Sequence, residues 1–138
     1  MKRFQSPLQV VQLLRQREEQ QRLERYAEAL NRRHTILQEL EDLQTRIADL
    51  GEICLEAFRD QTTAGQHQRL QDCLDSMRRQ RERVEAKLEE AERQVTARLH
   101  QMLVARRRRE GLDRLIELRR SSHRREEEKQ AQQALDEL

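Results

Sequence analysis

The chain has 138 residues, 39% of them charged and only 2% aromatic, with a formal net charge of +2. An ordinary soluble domain is about 25% charged, and so few aromatics make a poor centred core, whereas long helices need only a narrow apolar seam. The charge balance gives no mandate for nucleic acid. The longest apolar stretches, "VV", "LL" and "MLVA", fall far short of the roughly 20 residues of a membrane span, and nothing resembles a signal peptide.

Ser6 and the single proline, Pro7, open the first element: a capping serine followed by proline in the first turn. A helix is predicted over about residues 7–60. Apolar or small residues fall at Tyr26, Ala29, Ile36, Leu40, Leu43, Ile47, Leu50, Cys54 and Ala57. These are heptad steps of three and four, with one step of seven where Arg33 takes the seam position. Leu23, Leu30 and Leu37 widen the stripe on one flank. The stretch "DQTTAGQHQ", residues 60–68, then breaks the pattern with two threonines, a glycine and no apolar side chain larger than alanine. Short polar connections of this kind join antiparallel helices, and a turn is predicted at about 61–67.

A second helix is predicted over about 68–136. Leu70, Leu74, Met77, Arg81, Val84, Leu88, Ala91, Val95, Arg98, Met102, Ala105, Arg109, Leu112 and Ile116 alternate steps of four and three without a slip. Eleven of these fourteen positions are apolar or small, a register that excludes disorder for this stretch. The arginines among them, with Arg33, can snorkel out of a narrow two-helix seam. At 1.5 Å per residue the first helix spans roughly 80 Å and the second roughly 105 Å. A chain folded back near residues 63–65 therefore leaves residues 120–138 overshooting the N-terminus. Residues 119–130, "RRSSHRREEEKQ", hold no apolar residue, so this projecting segment calls for an external partner. The fold class is all-α, a long antiparallel two-helix coiled-coil hairpin with an overhanging C-terminal helix, and residues 1–138 form a single such unit.

The run of arginines at 106–109 lies inside the second helix. Arg109 takes a seam position between Ala105 and Leu112, while Arg106, Arg107 and Arg108 fan around the surface. Residues 106–125 hold nine arginines against three acids, a local net of +6, and residues 126–138 one lysine against five acids, a net of −4. As a nucleic-acid footprint this is weak, with no interleaved aromatics and no basic-region or zinc-finger spacing. The other readings are a solvated face with intrahelical ion pairs and a docking surface for acidic protein.

Catalysis finds no support. His34, His67, His100 and His123 are scattered, and there is no phosphate loop, nucleophile elbow or H-E-x-x-H. Acids on a solvated helix keep near-normal pKa values. Cys54 and Cys73 lack metal or redox spacing and read as small seam residues in a reducing cytoplasm. No enzyme activity, cofactor or metal site is expected.

The two ends carry a further signal. The opening "MKRFQSPLQVVQLLRQREEQQRLERYAEAL" has a basic start, Phe4, then Leu8, Val11 and Leu14 with Arg15, Arg17, Glu18 and Glu19. The chain closes on "RREEEKQAQQALDEL", with Ala134, Leu135, Asp136, Glu137 and Leu138 at its end. This pair of ends, with a polar turn between them, resembles the flagellar export protein FliJ family, and the stalk proteins of virulence type III secretion are similar in architecture. The resemblance implies an antiparallel two-helix coiled coil similar to the shaft of the rotary ATP synthase. It further implies a cytoplasmic, non-catalytic stalk or adaptor that sits in the pore of a hexameric export ATPase. Such a protein links the ATPase to the cytoplasmic domain of the export gate, reaches the inner face of the cell membrane through these partners only, and escorts export chaperones.

Carried onto this sequence, the end that would enter the ATPase ring presents Phe4, Leu8, Arg106, Arg107, Arg108, Arg109, Arg119, Arg120, Arg124, Arg125, Leu135 and Leu138 as candidate contacts. The hairpin tip, where the family meets the export gate, corresponds to Leu43, Ile47, Leu50, Leu70, Leu74 and Met77. This sequence departs from the family pattern there, since aromatics common near the tip are absent except for Phe58. Each of these six residues also reads as plain hairpin seam. The alternative to the stalk is a stand-alone coiled-coil scaffold dimerising through its seam. A small nucleic-acid binder is the third and weakest reading.

Overall fold

The computed structural model describes residues 7–61 and 63–138. The expected capping serine at position 6 lies outside the described residues. The protein is an all-α hairpin of two helices packed against each other, α1 (Gln9–Arg59) and α2 (Ala64–Asp136).

α1 closes with the amide of Asp60 donating to the Glu56 carbonyl at 2.9 Å. Gln61 then turns the chain with a φ of 54°, a left-handed conformation that ends a helix and that glycine adopts more readily. Thr63 restarts it. Its hydroxyl accepts from the amide of Gln66 at 3.3 Å and its carbonyl from the amide of His67 at 3.0 Å, which is the pattern of an N-cap. The turn is therefore shorter than the 61–67 expected from composition. Residues 64–67 belong to α2, because the threonine caps a helix and Gly65 takes no positive φ.

The chain divides into two compact units: Ala27–Ala97, and Met1–Tyr26 with Arg98–Leu138. The first has an apolar seam. Ile36, Leu43, Val84 and Ala91 are buried together, and Leu40, Ile47, Met77 and Leu88 pack against them. Val84 is the most deeply buried side chain at 2% exposure. Sinking an aliphatic side chain of this size stabilises by about 1.5–3 kcal/mol, so a few seam residues hold the pair. The heptad positions read from the sequence are the ones the helices enclose. From Tyr26 to Ala57 on α1 and from Leu70 to Ile116 on α2, every one is buried or half-buried.

In the second unit α2 contributes an apolar ridge of buried Met102, Ala105 and Ile116. Gln12 stands against Asp113 and Glu19 against Arg106, so the two helices run antiparallel in a constant register. Pro7 falls opposite about Leu118, and α2 continues from there to Asp136. This is the overhang.

Candidate partner-docking site

Stepping backwards from Tyr26 by fours and threes gives Arg22, Glu19, Arg15, Gln12 and Leu8. All five are half-buried, so the heptad persists through the first turns of α1 with polar residues in the seam. Apart from Leu8, the apolar residues of the same stretch turn outward: Val10 is 69% exposed and Leu14 57%. A search for apolar periodicity stops at Tyr26, and only extending the register reveals what faces α2.

What faces α2 is a charge clamp. Glu19, with its side chain 17% exposed, accepts from Arg106 Nε at 3.2 Å through Oε1 and from Arg109 Nε through Oε2. Arg109 also donates through Nη1 to Asp113 at 2.8 Å, and Gln12 Nε2 donates to the other oxygen of Asp113 at 2.8 Å. Glu18 lies 3.5 Å from Arg108 and accepts from Arg15 at 3.1 Å. The hydrogen bond from Arg109 holds the Glu19 carboxyl below its ordinary pKa; desolvation opposes this, and Arg106 adds to the lowering. Arg109 is shifted up by the hydrogen bonds from its side chain to Glu19 and Asp113. Glu19 thus departs from the near-normal titration expected of acids on a solvated helix, because two guanidiniums converge on it.

Three of the four arginines at 106–109 are therefore engaged within the molecule, and Arg107 is exposed. Further along α2, Arg120 lies 3.7 Å and Arg124 4.0 Å from Glu117, while Arg119 and Arg125 are exposed. Leu135 is 63% exposed and Leu138 fully so. Leu8 is half-buried, and Phe4 lies outside the described residues. The described residues of this proposed ring-contact set thus occupy one end of α1 and the distal half of α2, within one unit.

The six residues matched to the hairpin tip are seam residues. Leu43 and Leu74 are buried, and Ile47, Leu50, Leu70 and Met77 half-buried. The large apolar side chains turned outward near the turn are Ile53, Leu55 and Phe58, at 51%, 61% and 72% exposure. The Phe58 ring stands 5.9 Å from that of His67 across the turn. The exposure of Ile53 and Leu55 was legible as apolar positions beside Cys54 that the heptad leaves off the seam.

Cys54 is buried, Cys73 exposed, and neither is in a disulfide. Among the described residues no cluster of His, Cys, Asp and Glu could hold a metal ion. The protein matches the family of the flagellar FliJ protein over residues 4–138. The chain belongs to that family. No curated protein and no solved structure matches it. In this FliJ-family chain the match runs through both the clamp and the overhang. Membership makes it a flagellar, type III export-related coiled-coil protein. No helix of its described residues is long and apolar enough to cross a membrane.

Proposed function

We propose that the protein is a non-catalytic central stalk and adaptor of the flagellar export apparatus. It works in the cytoplasm, inserts one end into a hexameric export ATPase, and reaches the export gate with the other. Export chaperones are further partners, and contact with the membrane face is through these partners only. The observation that carries this reading is the overhang. α2 continues beyond the described start of α1, its residues 128–138 are exposed throughout, and an exposed helical end of this kind is held by an external partner or frays. Its charge suits weak, screened contacts around a ring, which bias subunits without tight binding. Arg107, Arg119 and Arg125, with Leu135 and Leu138, are the contacts offered outward at this end. At the turn the gate contact falls to Ile53, Leu55 and Phe58, with Leu43, Ile47, Leu50, Leu70, Leu74 and Met77 holding the helices beneath them.

The test mixes the protein with its cognate export ATPase and records ATP hydrolysis and ring formation against salt. Stimulation is expected to fade with salt. It is expected to be lost both in a chain lacking residues 120–138 and in one with Arg107, Arg119 and Arg125 changed to glutamine. No stimulation by the intact chain, with a stable seam-mediated dimer in solution, would overturn the stalk in favour of the scaffold.

A further inference from the structure

The arginine run is the strongest concentration of positive charge in the chain, yet α1 pairs with three of its four side chains. A single glutamate bridges Arg106 and Arg109, and its neighbour Glu18 sits by Arg108. Two adjacent carboxylates on an antiparallel helix thus pair with three guanidiniums spread over one turn of α2. Guanidinium forks are matched to carboxylates in this way, and the site is shaped for a helix bearing paired acids. The covering segment is held weakly. Apart from Leu8 its seam side is Gln12, Arg15, Glu19 and Arg22, its apolar residues Val10, Leu13 and Leu14 point outward, and the exposed Glu18–Arg108 and Arg15–Glu18 pairs contribute little. Segments with few buried apolar contacts are the ones that open locally.

We propose that Glu18 and Glu19 are an internal stand-in for a partner's carboxylates. They occupy a site on Arg106, Arg108 and Arg109 that takes an acidic helix once the first turns of α1 release it. The three released arginines then present the site on the seam side of α2, while the exposed Arg107 lies on the opposite side of the helix. A shallow groove of about 270 Å³, lined by Glu18 and Arg22 on α1 and by His100, Gln101, Val104 and Arg108 on α2, gives the incoming helix its approach. The inference rests on the reading that this end meets a partner, and it adds that the contact is gated by α1.

The test uses the full chain and a synthetic helical peptide carrying adjacent glutamate pairs, with its all-glutamine counterpart and a single-stranded oligonucleotide as controls. Binding is read by fluorescence anisotropy at low and high salt, and helicity by circular dichroism. The E18Q/E19Q chain is expected to bind the acidic peptide about three- to ten-fold tighter than the unaltered chain, the scale of removing three weak competing pairs. Arg107→Gln, on the far side of α2 and breaking no internal pair, is expected to bind it within about two-fold of the unaltered chain, and a loss as large as the E18Q/E19Q gain would overturn the seam-side site. Unchanged or weaker peptide binding by a fully helical E18Q/E19Q chain would overturn the proposal, as would a larger gain for the oligonucleotide than for the peptide. Hydrogen exchange on the unaltered chain needs no variant to fold. Saturating acidic peptide is expected to speed exchange of the amides of residues 9–22, and no acceleration would equally overturn the proposal. ATPase stimulation by the unaltered chain tests the stalk reading separately, so either idea can fail while the other stands.

Discussion

Glu19 shows how one side chain ties the fold to solution conditions. Its pKa is lowered from 4.5 by the hydrogen bond from Arg109, so the folded state binds its proton less readily than the unfolded state does. The stability it contributes is fully present above about pH 4.5 and is lost as the pH falls through the folded value. Thermal unfolding followed by circular dichroism from about pH 7 down to about pH 3 is expected to show an acid-side loss that is smaller in Glu19→Gln. An equal acid loss in both proteins would place the titrating group elsewhere. Leu43 works by a different force. At 5% exposure in the apolar seam, Leu43→Ala is expected to cost about 2–4 kcal/mol in denaturant unfolding, the usual result of removing a buried leucine.

The elements differ in how their ends are made. Gln61 holds a φ of 54°, where a β-carbon is strained and glycine is not, so Gln61→Gly is expected to stabilise the hairpin by about 0.5–1 kcal/mol. Thr63→Ala removes the hydroxyl that caps α2 and is expected to cost about 1 kcal/mol. Chemical denaturation of the two variants reads both effects, and opposite signs are the diagnostic result. Along α1 the seam changes character without changing period: residues 36–54 are enclosed by aliphatic contacts, and residues 12–22 by ion pairs and amides.

For the whole molecule, the overhang separates folding from function. The last buried seam residue of α2 is Ile116, so removing residues 120–138 takes away little buried apolar surface. The truncated chain is expected to unfold within a few degrees of the intact one, because lost burial sets the shift, yet to give no stimulation of the ATPase. Differential scanning calorimetry and the ATPase assay check the two halves of that statement. A large drop in melting temperature would mean that the overhang packs within the molecule.

The two-helix architecture and nearly the whole seam were legible in the sequence, because a heptad repeat is local. Each seam residue from Leu70 to Ile116 declares its face by spacing alone, and the structure encloses those seam residues. The polar opening of α1 was not legible in the same way. Gln12, Arg15, Glu19 and Arg22 carry no apolar signal, and whether they face a partner helix or water depends on register, which the turn at Gln61 and Thr63 sets. Pairing of residues 87 and 90 positions apart in sequence, Arg106 and Arg109 with Glu19, is a property of that register. Composition fixed how much positive charge the distal helix carries; only the tertiary structure decided how much of it α1 neutralises, since Coulomb attraction and hydrogen bonding act over ångströms in space.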